Sequence, residues 1–273
     1  MTQTLQSYGI RETTELTCDA DKSVEEIRIT GYSVVPAVLS DSELEVIRKK
    51  LDELYEEQAR EAGGEEHLRE INDAHVVRLL LAYDEYFLGV ATLPVVLTIV
   101  ERLLGDYYVI AQQNGLINPP NVENYQIPWH RDLSYQHFVS SRPLAISALF
   151  CIDDFSQETG GTFLLPGSHK IEAFPSQEFV EKNERCVTAK AGSALVFDSM
   201  LYHRAGRNYS QSERRGLNHY YTLPFIKQQI SIPEALQGKF AEDAFLRKFL
   251  GYESEPGKSV AQWRAAKAKR YSA

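Results

Sequence analysis

The feature that most constrains the fold is a series of short apolar segments between about residues 106 and 226, separated by Gly, Pro and Asn. The segments are DYYVIAQQNGLINPP, PLAISALFCIDDF, GTFLLPGSH, ERCVTAKAGSALVFD and GLNHYYTLPF. They are rich in β-branched and aromatic residues, which favour β-strands. Regularly spaced short strands with such turns are typical of a sandwich or barrel. We therefore predict a mainly β core over this part of the chain.

Helical patterns lie on both sides of the β region. Ser40 and Glu43 have the spacing of a capping box, and apolar residues at helical spacing follow them. The chain after Pro233 is again typical of helices. We predict a single domain over residues 1–273, with helical flanks at 40–105 and 233–270.

Composition excludes several functional classes. The chain has 29 basic and 38 acidic residues, a net charge of −9, which argues against a nucleic-acid partner. It contains neither a signal-peptide pattern at its start nor an apolar run of the roughly 18 residues that span a membrane. Its three cysteines show no CxxC spacing, so neither a disulfide framework nor a zinc-thiolate site is expected. These features favour a cytoplasmic protein. They leave its oligomeric state open.

The segment IPWHRDLSYQHF contains His130 and Asp132, two residues apart. On a strand, such residues point to the same face. His203, far downstream after the strand-like ALVFDSM, is the candidate third ligand. Two histidines and one carboxylate with open positions form the facial triad of non-haem Fe(II) oxygenases. An isolated H-x-D is common by chance, so a structural polar cluster is the competing interpretation.

Arg214 follows in HRAGRNYSQSERRGLNHYY. A guanidinium is always charged and binds a carboxylate through two parallel hydrogen bonds. Arg214 can therefore hold the far carboxylate of 2-oxoglutarate, a cosubstrate of such iron enzymes. Arg215 is the alternative, since neighbours on a strand point in opposite directions. A surface arginine in a charged turn is the competing interpretation.

Taken together, these segments resemble the phytanoyl-CoA dioxygenase family of Fe(II)/2-oxoglutarate-dependent oxygenases. The motifs that carry the resemblance are WHRD at 129–132, DDFSQETGGTFLLPGSH at 153–169 and GSALVFDSMLYHRAGRNYSQSERR at 192–215. The opening ITGYSVVPAVLSDSELEVIRKKLD is similar to the N-terminal strand and helix of that family. The resemblance covers roughly residues 24–226 and implies a double-stranded β-helix, the cupin-like jelly roll.

The resemblance also implies roles for particular residues. Iron is expected at His130, Asp132 and His203, with 2-oxoglutarate at Arg214 and O2 as the second cosubstrate. Gln113 matches a position where the family often has a polar cosubstrate contact. Some relatives carry a cosubstrate-binding serine where this chain has Ala205. Halogenating relatives replace the ligand carboxylate with a small residue, so the presence of Asp132 disfavours halogenation.

The expected activity is oxidation, in the first instance hydroxylation, of an unactivated C–H bond in a small molecule, with release of succinate and CO2. A natural-product intermediate is one candidate substrate, and desaturation, cyclisation and epoxidation stay open. The alternatives are a non-redox cupin-like metal isomerase and a jelly-roll binding protein. Proximity to the triad in sequence suggests a set of candidate substrate contacts. They are Arg131, Tyr135, Gln136, His137, Met200 and Tyr202.

Overall fold

A computed structural model describes residues 8–122, 126–133 and 136–271 of the chain. The helices in this part are α1 Asp19–Thr30, α2 Asp41–Glu61, α3 Glu65–Glu70, α4 Leu80–Tyr83, α5 Tyr86–Ala91, α6 Pro94–Leu104, α7 Gln177–Asn183, α8 Ile232–Leu236, α9 Ala244–Phe249 and α10 Val260–Tyr271. The strands are β1 Tyr32–Val35, β2 Val76–Arg78, β3 Val109–Asn118, β4 Ala145–Cys151, β5 Phe163–Leu164, β6 Arg185–Cys186, β7 Ala194–Asp198, β8 His203–Arg204 and β9 Arg214–Thr222.

The strands form two antiparallel sheets. The larger sheet has the order β1-β7-β4-β9-β3-β2, and the smaller sheet has the order β6-β5-β8. Strands β4, β7 and β9 are neighbours in the larger sheet, while β5, β6 and β8, which lie between them in the chain, belong to the smaller one. The chain thus alternates between two sheets, as in a jelly roll. The predicted double-stranded β-helix with flanking helices is confirmed.

Two strands of the larger sheet come from outside the predicted β region. They are β1 and β2, and they occupy the two edges of the sheet. β1 pairs with β7, and β2 pairs with β3. Strand β1 is the N-terminal strand that the family resemblance implies, and β2 lies within the predicted helical flank at 40–105, which therefore also contributes to the sheet. The helices contain more residues than the strands.

Helix α2 begins as the sequence predicts. The Ser40 N–H donates to Glu43 Oε2 at 2.8 Å, and the Glu43 N–H donates to Ser40 Oγ at 3.4 Å. This reciprocal pair satisfies two N–H groups that have no partner inside the helix. The apolar face of the helix buries Leu44, Ile47 and Leu51 in the core that covers one face of the larger sheet.

The larger sheet has an outer face, which the helices cover, and an inner face, which is turned toward the smaller sheet. The side chains of β9 contribute to both faces. Leu217 and Tyr221 belong to the apolar core on the outer face. Side chains alternate along a strand, so Arg214 and Asn218 project to the inner face, where both line a cavity. The alternation along this one strand decides which of its residues can reach the site.

The C-terminal segment returns to the outer face. Ile232 and Leu236 of α8 and Phe249 of α9 are buried in the same apolar core as the face of α2. Within the described residues, no helix combines the length and the apolar character needed to cross a membrane.

Candidate metal and cosubstrate site

His130 and His203 are brought together by a short antiparallel bridge. The His130 N–H donates to the His203 carbonyl at 2.9 Å, and the His203 N–H donates to the His130 carbonyl at 3.0 Å. Two residues that exchange both backbone hydrogen bonds lie directly opposite each other, with their side chains on one face. The centroids of the two imidazole rings are accordingly 4.3 Å apart. Backbone pairing therefore aligns two rings that are distant in the sequence.

The tautomer of both imidazoles follows from their hydrogen bonds. His130 Nδ1 lies 2.9 Å from the Pro128 carbonyl, and His203 Nδ1 lies 2.9 Å from the Leu201 carbonyl. A carbonyl oxygen only accepts, so Nδ1 donates in each case and Nε2 keeps its lone pair in the neutral ring. This arrangement is the one in which a histidine binds a metal through Nε2.

Asp132 completes the cluster. Its Oδ1 lies 3.5 Å from His203 Nε2, and the candidate ligand atoms of the three residues all lie within 4.8 Å of one another. Its Oδ2 accepts a hydrogen bond from Ser147 Oγ, which in turn lies 3.1 Å from Ser199 Oγ. Both serines are buried. The serine contact holds one carboxylate oxygen and leaves the other directed at the histidines.

The electrostatics of the cluster suit a cation. Burial opposes a charge on Asp132, but His203, His130 and the Ser147 hydrogen bond outweigh it and lower the pKa of this carboxyl to about 2. Burial, assisted by the neighbouring His203, lowers the pKa of His130. Burial also acts downward on His203, yet the adjacent Asp132 carboxylate raises its pKa. The cluster thus combines an ionised carboxylate with two imidazoles that can bind a metal when they are neutral.

Arg214 is a buried cation with an incomplete set of partners. Arg214 is only 4% exposed. Its Nη2 donates to the Gly160 carbonyl at 2.8 Å, whereas its buried Nε has no hydrogen-bond partner among the described residues. Its guanidinium lies 4.4 Å from the Phe155 ring centroid. Burial lowers the pKa of Arg214 to about 10, so it stays charged at neutral pH. Among the described residues no carboxylate pairs with it. A buried unpaired charge is costly, and an anionic ligand would remove that cost.

Arg215, the alternative, points to the opposite face of β9. Its Nε and Nη2 donate to the Asp52 carboxylate at 2.8 and 2.9 Å, and Nη2 also donates to Glu213 at 2.7 Å. Its charge is already compensated by acidic side chains. Of the two arginines, Arg214 is the one that fits a cosubstrate carboxylate.

One cavity contains the three candidate ligands together with Arg214. The other described residues that line it are Leu116, Gln126, Leu149, Thr162, Phe197, Arg204, Ala205 and Asn218. Thr162 and Asn218 in the lining, and Ser147 beside Asp132, were not predicted from the sequence as site residues. Alternation along β9 was the available signal for Asn218, which lies four residues from Arg214 and hence on the same face.

The structure does not bring Gln113 to this cavity. Gln113 is paired with His219 across β3 and β9, and both side chains point to the helix-covered face. Its Oε1 accepts from the Leu81 N–H at 2.7 Å, and its Nε2 donates to the Phe87 carbonyl at 3.0 Å. The carboxamide connects the sheet to α4 and α5. The expectation of a cosubstrate contact at Gln113 is therefore not supported, because its position in β3 directs it away from the site.

Arg131 and Tyr202, two candidate substrate contacts, interact with each other outside the cavity. Arg131 donates to the carbonyls of Met200 at 2.8 Å and Glu172 at 3.1 Å, and its guanidinium lies 3.8 Å from the Tyr202 ring centroid. The Tyr202 hydroxyl donates to the same Glu172 carbonyl at 3.1 Å. Through these contacts Arg131 and Tyr202 hold the loop after β5, so their role is structural.

Of the remaining candidate substrate contacts, the three that the structure describes, Gln136, His137 and Met200, are also absent from the lining of the cavity. Gln136 is buried, and its Nε2 donates to the Phe138 carbonyl at 2.7 Å. Met200 is buried and His137 is exposed. Tyr135 lies outside the described residues.

A jelly roll with two histidines and one carboxylate converging beside a buried arginine is typical of non-haem iron oxygenases. Comparison with known proteins identifies the family. The phytanoyl-CoA dioxygenase (PhyH) model matches residues 27–216. The chain belongs to this family, as its motifs indicate.

Three similar proteins illustrate the range of the family and the fold. The uncharacterised protein Rv1501 of Mycobacterium tuberculosis is 34% identical over 223 residues, which cover 79% of this chain and 80% of that protein. The ectoine dioxygenase of Stutzerimonas stutzeri is 26% identical over 256 residues, covering 82% and 80%. The crystal structure of SnoK, a non-haem α-ketoglutarate-dependent carbocyclase from nogalamycin biosynthesis, superposes with a TM-score of 0.59 at 20% identity, covering 74% of this chain and 83% of SnoK.

Proposed function

We propose that this protein is a non-haem Fe(II)- and 2-oxoglutarate-dependent dioxygenase. It hydroxylates an unactivated C–H bond of a small molecule, with release of succinate and CO2. The observation that carries the proposal is the buried Arg214 guanidinium, which has no acidic partner among the described residues and lines the same cavity as the His130, Asp132 and His203 cluster. A dicarboxylate that binds the metal with one end and the arginine with the other would satisfy both. Membership of a dioxygenase family supports this reading.

His130 and His203 would bind Fe(II) through Nε2, and Asp132 would bind it through Oδ1. The donor set suits the metal, because imidazole and carboxylate in a two-to-one ratio are the ligands of facial-triad iron sites. The Nδ1 contacts with backbone carbonyls hold the rings, and Ser147 holds the carboxylate. Fe(II), 2-oxoglutarate and O2 together supply the oxidising chemistry, and the protein supplies binding, orientation and exclusion of water.

Arg214 would bind the distal carboxylate of 2-oxoglutarate and so set the direction in which the cosubstrate lies. The Gly160 carbonyl fixes Nη2, and the free Nε remains available. Leu149 and Phe197, which line the cavity, would keep water away from the bound cosubstrate. A low-dielectric wall of this kind strengthens the interaction between a guanidinium and a carboxylate.

Asp132 bears on the type of oxidation. Halogenation in related enzymes uses a site that lacks this carboxylate, so we propose oxygen transfer to the substrate. Relatives and structural neighbours include an ectoine dioxygenase and a carbocyclase. Ring closure is therefore the alternative outcome to hydroxylation that a product analysis must distinguish.

Charge and cysteine content bear on the partner and the cellular compartment of the protein. The partner is a small molecule, since an acidic chain with a net charge of −9 is unsuited to a nucleic acid. We propose that residues 1–273 act as one domain in the cytoplasm. All three cysteines are described and unpaired, in keeping with a reducing compartment.

The test is a screen for substrate-dependent succinate release across a metabolite library, followed by mass analysis of the product. Hydroxylation adds one oxygen, and ring closure or desaturation removes two hydrogens. His130→Ala should abolish succinate release, while His67→Ala, an exposed histidine on α3, should leave it unchanged.

A second measurement separates the proposal from its competitors. Under anaerobic conditions Fe(II) and 2-oxoglutarate together should produce a weak visible absorption band in the wild-type protein. A folded protein without that band and without succinate release would favour a non-redox metal isomerase or a binding protein.

A further inference from the structure

Asn218 is the other polar side chain of β9 that faces the cavity, and its carboxamide is unused. Its Oδ1 is shielded from solvent and has no hydrogen-bond partner among the described residues. No hydrogen bond of its Nδ2 is observed within the described chain either. A polar atom that the protein encloses without a hydrogen-bond partner is unfavourable. The Nδ2 group is the donor that Asn218, as a lining residue of the cavity, can offer to an acceptor oxygen of a ligand.

The position of Asn218 lies between Arg214 and the metal ligands. It is four residues beyond Arg214 on the same face of β9, about 13 Å along the strand at roughly 3.3 Å per residue. Two residues further on, Tyr220 pairs with Ser147, the residue that holds the Asp132 carboxylate. Asn218 therefore stands on the wall of the cavity that connects the arginine with the candidate iron ligands.

On the β4 side, the neighbour of Asn218 is apolar and offers its amide no hydrogen-bond partner. Its opposite residue on β4 is Leu149, which also lines the cavity. Arg214 and Asn218 are thus two polar side chains of the cavity that are separated along one strand by Gly216. Gly216 adds no side chain between them. This arrangement matches an extended molecule that is polar at both ends.

Asn114, directly opposite on β3, provides the contrast. Asn114 is a buried asparagine, and its amide can donate to the Gln113 carbonyl at 3.1 Å and accept from Arg78 Nη1 at 3.2 Å. It is not among the residues that line the cavity. Of these two facing asparagines, Asn218 is the one left for a ligand.

We propose that Asn218 is a further cosubstrate-binding residue, whose carboxamide hydrogen-bonds the metal-facing end of 2-oxoglutarate while Arg214 holds the distal end. The inference rests on the proposed function and adds a contact to it. Asn218 selects the binding orientation, because its Nδ2 can donate to a carboxylate or keto oxygen that the neighbouring Leu149 cannot satisfy.

The test is Asn218→Leu, which keeps a similar volume and removes both polar atoms. Binding of 2-oxoglutarate is measured by anaerobic calorimetry with Co(II) or Fe(II) present. The dissociation constant should rise about tenfold or more, as expected for one hydrogen bond to a charged group. Co(II) binding without 2-oxoglutarate should be unchanged. The metal-only protein should unfold at the same or a higher temperature, because an unsatisfied amide has been removed from the wall.

Asn114→Leu is the matched control and should leave 2-oxoglutarate affinity unchanged. Asn218→Ser, a smaller change that keeps a hydrogen-bonding group, covers the case in which the leucine variant does not fold. It should bind 2-oxoglutarate with an intermediate affinity. The inference is overturned if both folded Asn218 variants bind 2-oxoglutarate as tightly as wild type, or if their affinity falls only together with Co(II) affinity and unfolding temperature. A wild-type protein that fails to bind 2-oxoglutarate would instead overturn the proposed function.

Discussion

The side chains of Arg214 and Arg215, adjacent on strand β9, lie on opposite faces of the larger sheet. Arg214 is buried in the cavity beside the candidate metal ligands, where the only hydrogen bond of its side chain within the described chain goes to the Gly160 carbonyl. Arg215 is bound by Asp52 on α2 and by Glu213. The Arg214 charge has no acidic partner among the described residues, whereas the Arg215 charge already has acidic partners. Two residues of the same type therefore have separable roles.

Arg214→Ala should raise the KM for 2-oxoglutarate by roughly a hundredfold or more, because a pair of charge-assisted hydrogen bonds is lost. Arg215→Ala should leave that KM unchanged and lower the free energy of unfolding by about 1 kcal/mol, since its ion pair with Asp52 is partly exposed. Succinate formation and urea denaturation measure the two effects. The reverse pattern would transfer the cosubstrate role to Arg215.

Ser147→Ala should weaken metal binding by about tenfold, because the hydroxyl orients the Asp132 carboxylate and such supporting contacts tune ligand geometry. Titration with Co(II) or Mn(II) measures the affinity. Ser33→Ala, another buried serine of the larger sheet, is the matched control. Equal affinities of the Ser147 variant and wild type would show that Asp132 is held by other contacts.

Gln113→Leu should lower the free energy of unfolding by about 2 kcal/mol or more, because it leaves the Leu81 N–H and the Phe87 carbonyl without the partner that the structure gives them. Its KM for 2-oxoglutarate should equal that of wild type once the protein is folded. A KM increase of tenfold or more at unchanged metal affinity would restore Gln113 as a cosubstrate contact.

Stability should fall in mildly acidic solution because of His219. Burial lowers the pKa of this histidine to about 3, whereas an unfolded histidine titrates near about 6.5. Between these values the unfolded chain binds the proton and the folded chain does not. The contribution of neutral His219 to the free energy of unfolding is therefore complete above about pH 6.5. It is lost as the pH falls toward 3, by up to about 1.4 kcal/mol per pH unit.

Urea denaturation at several pH values between 5 and 7.5 measures this slope. His219→Gln should give a shallower pH dependence than wild type, whatever its absolute stability after losing the contacts with Gln113 and Tyr221. His67→Gln, at an exposed position, should retain the wild-type slope. Parallel curves for His219→Gln and wild type would mean that His219 also titrates in the folded protein.

Much of the fold could be predicted because its signals are local. The capping box at Ser40 lies within four residues, and the short β segments are each readable by themselves. Edge strand β2 was not recognised, since three residues inside a helical region carry too little pattern. It exists because Val76–Arg78 can pair with the exposed edge of β3. Pairing with a distant strand leaves no signature in so short a segment.

In the candidate site, too, some features could be predicted from the sequence and others could not. The H-x-D spacing, the downstream histidine and the two arginines were all readable from the sequence, because residue type and family motif carry them. The face of Gln113 was not readable. Its side chain points to the helices because of the register of β3 against β9, and a shift of one residue would reverse it.

The sequence by itself therefore determined the family, the jelly-roll class and the candidate residues for binding iron and a dicarboxylate. Only the tertiary structure decided that Arg214 rather than Arg215 enters the cavity, that Ser147 holds Asp132, and that Asn218 Oδ1 has no hydrogen-bond partner in the described part of the chain. The physical reason is that residue chemistry and short-range periodicity are written along the chain. The partner and the burial of each side chain depend on strand register and sheet order, which arise only when distant segments pack together.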